Sequence, residues 1–193
     1  MKSWINLANL PVRKFSCGHC GQLVASDRGY YVDPLQAGAI YVCPNCGDPT
    51  YFSRTPNTKD SKQVPGPIAG NTVNYLPSQI ESLYLEARNC VSISSHTSSV
   101  LTCRKLLMHI GVAQGAPEGR PFIEYIDYLA AKGFVPPNGK GWVDHIRKKG
   151  NEANHEIKLM SQADAEELIT FVEMLLKFIY EFPQRVPAAA PPP

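Results

Sequence analysis

At 193 residues the chain has room for one domain or two small ones, and a hydrophobic fraction of 44% suffices for a packed core. A net charge of +2 argues against a wide polyanion-binding surface, and no run approaches the ~18 uninterrupted apolar residues that a spanning helix needs. Residues 1–64 carry seven Lys/Arg against four Asp/Glu and the remainder twelve against thirteen, so charge concentrates only locally, at Arg147, Lys148 and Lys149. The opening stretch has one lysine and a short apolar patch broken by Asn6, Asn9 and Pro11. That is unlike a signal peptide, so a cytoplasmic location is expected.

In chain order, residues 1–55 hold short strand-like runs, YYV at 30–32, AIYV at 39–42 and TYF at 50–52. Residues 56–76 are rich in Pro, Gly and small polar residues and read as a linker or extended strap. From Pro77 the period becomes helical. Ile80, Leu83, Tyr84 and Ala87 make one apolar face of a first helix that opens at Pro77. Val100, Cys103, Leu107 and Ile110 make a second over 95–111, which Gly111 closes. Phe122, Ile123, Ile126 and Leu129 place a third over 121–132, stopped by Gly133, and Trp142, Val143 and Ile146 a fourth over 140–150. Ser161 with Asp164 forms a capping box for the last, whose stripe runs from Ala165 to Ile179 before Pro183 stops it. Residues 184–193, ending in PAAAPPP, read as a disordered or polyproline-like tail. The fold class expected is α+β, mostly α: a small β unit, then a four- or five-helix bundle over 77–183 whose apolar stripes face one another.

Cys17-Gly-His-Cys20 and Cys43-Pro-Asn-Cys46 are two C-x-x-C pairs separated by 22 residues. Two thiolates on one tight turn converge on one ion, and two such turns joined by a hairpin make a tetrahedral four-cysteine site. Gly21 and Gly47 follow the pairs and suit the turns. Disulfides are disfavoured in a reducing compartment. A thioredoxin-type site uses one pair before a helix, and an iron–sulfur cluster is less common at this spacing. The expected cofactor is therefore a structural Zn2+ on Cys17, Cys20, Cys43 and Cys46, with His19 exposed at the tip of its turn. A 55-residue β unit has too small a core to hold itself without the ion. Chelation is expected to unfold residues 1–55 and leave the helices intact. Cys90 and Cys103 lie on helical faces and read as small buried hydrophobes.

The helical half resembles a known family. LPSQIESLYLEARNC, SSVLTCRKLLMHIG and HIRKKGNEANHEIKLMSQADAEELITFVEMLLKFIY look like the HEPN-like domain of unknown function of bacterial restriction and phage-defence proteins, over about residues 76–182. Members with a cysteine ribbon ahead of the helices match residues 15–52. The resemblance implies a helical bundle that commonly dimerises. In the wider HEPN superfamily, catalytic members are metal-independent endoribonucleases that use an Arg, usually followed by a polar residue such as Asn, and then a His after four to six intervening residues. The matching positions here are Arg147, Asn151 and His155. A histidine exchanges protons with RNA oxygens near neutral pH, and a guanidinium stabilises phosphorane charge.

This sequence departs from that pattern. Gly150, not Arg, precedes Asn151, and seven residues separate Arg147 from His155. Lys148 and Lys149 fall inside the window but lack the bidentate fork. Met108 stands where relatives often carry an acid four residues after the arginine matching Arg104. Three readings of the corner stay open: a helix C-cap at Gly150 with Asn151 and His155 holding the turn, a ligand- or RNA-binding corner, and a nuclease centre. No P-loop, dinucleotide fingerprint, G-x-S-x-G or H-E-x-x-H occurs, so no nucleotide cofactor is expected. The expectation is a zinc-binding module acting through a homodimer or a protein partner in a defence complex, leaning away from enzyme. RNA or DNA is a further candidate partner, and endoribonuclease chemistry at His155 is the alternative.

Overall fold

The structure, a computed structural model, describes residues 2–31, 38–53, 61–135, 141–146, 148 and 159–186. It is α+β, with an antiparallel five-stranded sheet followed by helices. The chain divides into two compact units: residues 1–69 with 89–95, and residues 70–88 with 96–193.

In the first unit the strands run β1 (Ala8–Ser16), β2 (Leu23–Tyr31), β3 (Gly38–Val42), β4 (Pro49–Ser53) and β5 (Gln63–Val64), each hydrogen-bonded to the next as an antiparallel meander. The fifth strand comes from the Pro/Gly-rich stretch, where a two-residue strand leaves no hydropathy period to read. Between Asn9 and Arg13 the β1–β2 register shifts, at the point where Pro11 has no N–H for a ladder. Leu10, Phe15, Tyr41 and Phe52 turn to one face and form a small core with Cys17 and Cys43. Its aromatics meet edge-on, Phe15–Phe52 at 5.2 Å and Tyr41–Phe52 at 5.7 Å between ring centroids. The Arg13 guanidinium covers the Phe52 ring at 3.9 Å and shields the open side of this core.

The helices are α1 (Ser78–Ser92), α2 (His96–Ala113), α3 (Phe122–Ala131), α4 (141–146), α5 (Gln162–Leu176) and α6 (Phe182–Arg185), with a π-helical turn, Lys177–Glu181, joining the last two. In the second unit α2 packs against α3 and α5. Leu106, Leu107, Ile110, Ile126, Leu129, Ile146, Leu168, Phe171 and Leu175 are almost wholly removed from water. Each such side chain contributes about 1.5–3 kcal/mol. Trp142 stacks edge-on against Phe171 at 5.0 Å, a core role.

Several sequence expectations need correction. α2 does not end at Gly111 but runs on to Ala113. A β-carbon on Gly111 would lie 2.8 Å from Tyr125 Cδ1, so this glycine lets α3 approach α2. The cap is Gly115 at φ +98, whose N–H reaches Val112 O while Ala116 N–H reaches Gly111 O, the paired bonds of a Schellman end. α3 ends the same way, with Gly133 N–H on Ala130 O and Phe134 N–H on Leu129 O. Ile123, expected on the buried stripe of α3, is exposed. Pro183 does not stop the helix. The π turn, in which Phe182 N–H bonds Lys177 O, shifts the register so that Pro183 falls in the first turn of α6. There its missing N–H costs nothing. α1 begins at Ser78, with the Pro77 carbonyl accepting from Glu81 N–H at 2.9 Å. The capping box at Ser161 and Asp164 is present in full.

A strap over residues 70–75 is clipped to its own unit by buried polar groups. Arg88 donates to Gly70 O, and Tyr84 Oη to Asn71 O. Glu173 accepts from Asn71 N and Nδ2 at 2.8 and 3.0 Å, and Glu181 from Asn74 N at 2.9 Å. Lys177 and Arg185 neutralise the two carboxylates from one turn away.

Candidate metal centre

The two C-x-x-C pairs fold as copies of one another. Each first cysteine ends a strand, Cys17 after β1 and Cys43 after β3. In each turn the first cysteine's N–H bonds the carbonyl five residues on (Gln22, Asp48) and its carbonyl accepts from the glycine four residues on (Gly21, Gly47), all at 2.9 Å. Gly21 and Gly47 stand at φ +74 and +75, where a side chain would be strained. This repeated turn points both sulfurs of a pair the same way, and the sheet sets the two pairs face to face.

All four Sγ atoms lie within 4.8 Å of one another. Cys17–Cys46 and Cys20–Cys43 are each 3.8 Å apart. A tetrahedron with metal–sulfur bonds of about 2.3 Å has edges of about 3.8 Å, so the arrangement fits one four-coordinate ion. The cysteines are all free, and a disulfide would need the sulfurs at about 2 Å. Cys17 and Cys43 are buried and Cys20 and Cys46 half-buried, so the site sits at one end of the small core.

Outer hydrogen bonds aim at the sulfurs. His19 N–H points at Cys17 Sγ (3.4 Å) and Asn45 Nδ2 at Cys20 Sγ (3.5 Å). Burial pushes the Cys17 and Cys46 thiols up. Burial acts the same way on Cys20, but the Asn45 amide, the Gln22 N–H and the neighbouring thiols outweigh it and bring that group down to about 7. Four sulfurs this close cannot all ionise without a cation between them, which is the chemical signature of a thiolate metal site. His19 is exposed and gives its Nε2–H to Pro49 O at 2.9 Å, tying one turn to the other rather than serving as a ligand. The N-terminal segment covers the second turn: Trp4 Nε1 donates to Gly47 O at 2.8 Å, and Lys2 pairs with Asp48. No sequence signal marked these two contacts, because Lys2 and Trp4 lie outside any motif.

The other candidate residues fare differently. Arg147, Asn151 and His155 lie outside the described residues, as do Lys149 and Gly150. Arg104 places its guanidinium 4.4 Å over the Phe122 ring, capping the core. His145 Nε2 meets Glu167 at 2.8 Å on an exposed face. Cys103 is wholly buried and Cys90 half-buried. The second unit carries an open groove of about 390 Å3 bordered by Asn71, Glu173, Lys177, Phe178 and Phe182. Burial pushes the Glu173 carboxyl up, but its bonds to Lys177 and Asn71 outweigh this and hold it below its ordinary value. Among the described residues no other group of His, Cys, Asp and Glu is placed to hold an ion, and no helix is long and apolar enough to cross a membrane.

A family model described as a domain of unknown function matches residues 85–190. No curated protein and no solved structure matches the chain.

Proposed function

The chain belongs to the DUF4145 family, a domain of unknown function, and from that premise we propose that it is a zinc-stabilised binding and assembly module. The observation that carries this reading is the sulfur tetrahedron: four cysteine donors fill every position of a four-coordinate ion. No position is left for water or substrate, so the ion stabilises the fold and does no chemistry. The ion proposed is Zn2+, and all four thiolates act as its ligands.

The helical part, through its resemblance to HEPN-like domains, supplies the assembly surface. We assign it to a homodimer or to a protein partner in a cytoplasmic bacterial or phage-related defence system. That assignment rests on the family resemblance and not on any chemistry of the described residues.

The sequence around His155 supports a second reading. Asn151 and His155 follow Arg147, Lys148 and Lys149. A histidine with nearby cations is the equipment of a metal-independent endoribonuclease. RNA cleavage in the presence of EDTA, measured beside His155→Ala, separates the two. The module reading expects no cleavage by either protein. Cleavage by the unaltered chain that His155→Ala abolishes, with its fold intact, would replace the module by the enzyme.

A further inference from the structure

A helix leaves its last carbonyls without intrahelical partners, and each must be satisfied elsewhere. At the end of α1 the account closes in an unusual way. Ser95 N–H takes Cys90 O at 2.8 Å and Ser94 N–H takes Val91 O at 2.9 Å, which makes a Schellman end. Asn89 O accepts from Ile93 N–H and from the Ser92 hydroxyl. Ser92 O has no donor from its own helix. It accepts from Gly66 N–H at 2.6 Å, two residues beyond β5. Ser92 itself is buried, so water does not stand in.

Gly66 is in turn held by the first cysteine turn. A β-carbon on Gly18 would lie 2.8 Å from Pro65 O and closer still to Gly66 O, so the Cys17–Cys20 backbone rests directly on Pro65-Gly66. Gln63 adds a second tie, its Nε2 donating to Ser16 O at 2.8 Å and to Pro65 O at 3.0 Å. Ser16 is the residue before the first ligand. These residues, with Asn89–Ser95, all belong to the first unit.

The helix end also needs this support. The left-handed cap position is a glycine in α2 (Gly115) and α3 (Gly133), but in α1 it is Ser94 at φ +63. Its β-carbon opposes that conformation.

We propose that the metal centre acts as the C-terminal cap of α1, so that metal occupancy orders residues 89–95 through Gly18, Pro65 and Gly66. This rests on the reading of the four cysteines as a metal site. It also amends the expectation that chelation leaves the helices untouched: the last turn of α1 loosens with the ribbon, while the turns before it hold.

The test is amide hydrogen exchange on the full chain, with zinc bound and after chelation, beside a count of zinc per chain. On removal of the ion, exchange at Ile93, Ser94, Ser95 and Gly66 should quicken by about tenfold or more, while amides of residues 82–87 keep their protection. Gly66→Pro removes the N–H that reaches Ser92 O and lies outside both cysteine turns. It should keep one zinc per chain yet show fast exchange at residues 93–95. One zinc bound with equal protection of 93–95 in both states would overturn the proposal and leave the metal site standing. No zinc bound under any condition would remove the site and the proposal with it.

Discussion

Asn45 shows how much of the metal centre rests on a side chain that is not a ligand. Its amide lies 3.5 Å from Cys20 Sγ and, against the effect of burial, helps to bring that thiol down to about 7. Asn45→Ala should weaken zinc binding by about tenfold, measured by competition with a chromophoric chelator. Cys43→Ser removes a buried ligand and should cost well over that, with loss of the β signal in circular dichroism. Ser94 gives a test of the opposite sign. Glycine at φ +63 removes the steric cost of the left-handed conformation, so Ser94→Gly should raise stability by about 0.5–1 kcal/mol in urea unfolding. At this scale the convergence of the four cysteines was legible from spacing, because a C-x-x-C turn is a local structure. The supporting contacts were not: Trp4 to Gly47, His19 to Pro49 and Gly66 to Ser92 each join residues 26 or more apart, and nothing in the sequence pairs them.

Helices announced themselves by their stripes, and most of their ends by capping chemistry. The Ser161–Asp164 box is local and could be read directly. Gly111 misled because a glycine near a helix end serves equally as a cap or as a gap for a neighbour, and only the Tyr125 ring distinguishes the two. Pro183 misled because the π turn that accommodates it has no sequence period of its own. The clip between the 70–75 strap and α5 was hidden for a similar reason, since Glu173 reads as a polar interruption of an apolar face. Glu173→Gln removes the charge opposite the Lys177 ammonium and replaces one of the two acceptor oxygens shared by Lys177 and Asn71 with an NH2 donor, and should cost about 2 kcal/mol. Burial alone would raise the Glu173 carboxyl, but Lys177 and Asn71 prevail and hold it below its ordinary value. A carboxylate depressed in the folded state stabilises above its unfolded value and loses that contribution as pH falls through the folded one. Thermal unfolding followed from pH 7 downward should therefore show the unaltered protein losing stability below about pH 4.5, with Glu173→Gln losing less over the same range.

For the whole molecule the two units draw on different sources of stability. The helices bury an extensive apolar core, whereas the sheet rests on a handful of aromatic and aliphatic side chains with four cysteines at their edge. A core that small does not hold a five-stranded sheet by apolar burial alone, and the ion proposed at the four cysteines would supply the difference. The α+β class followed from the change of period at residue 77. The fifth strand and the Gly66–Ser92 bond at the end of α1 depend on contacts between distant segments, which a single chain does not advertise. The central claim is that the four sulfurs grip one metal ion and thereby hold the ribbon. It is tested most directly by X-ray absorption at the zinc edge on protein purified without added metal, with the metal content counted on the same sample. The account predicts one zinc per chain in a shell of four sulfurs at about 2.3 Å. A protein without metal whose sheet is nonetheless folded, or a shell containing nitrogen or oxygen in place of a cysteine sulfur, would contradict it.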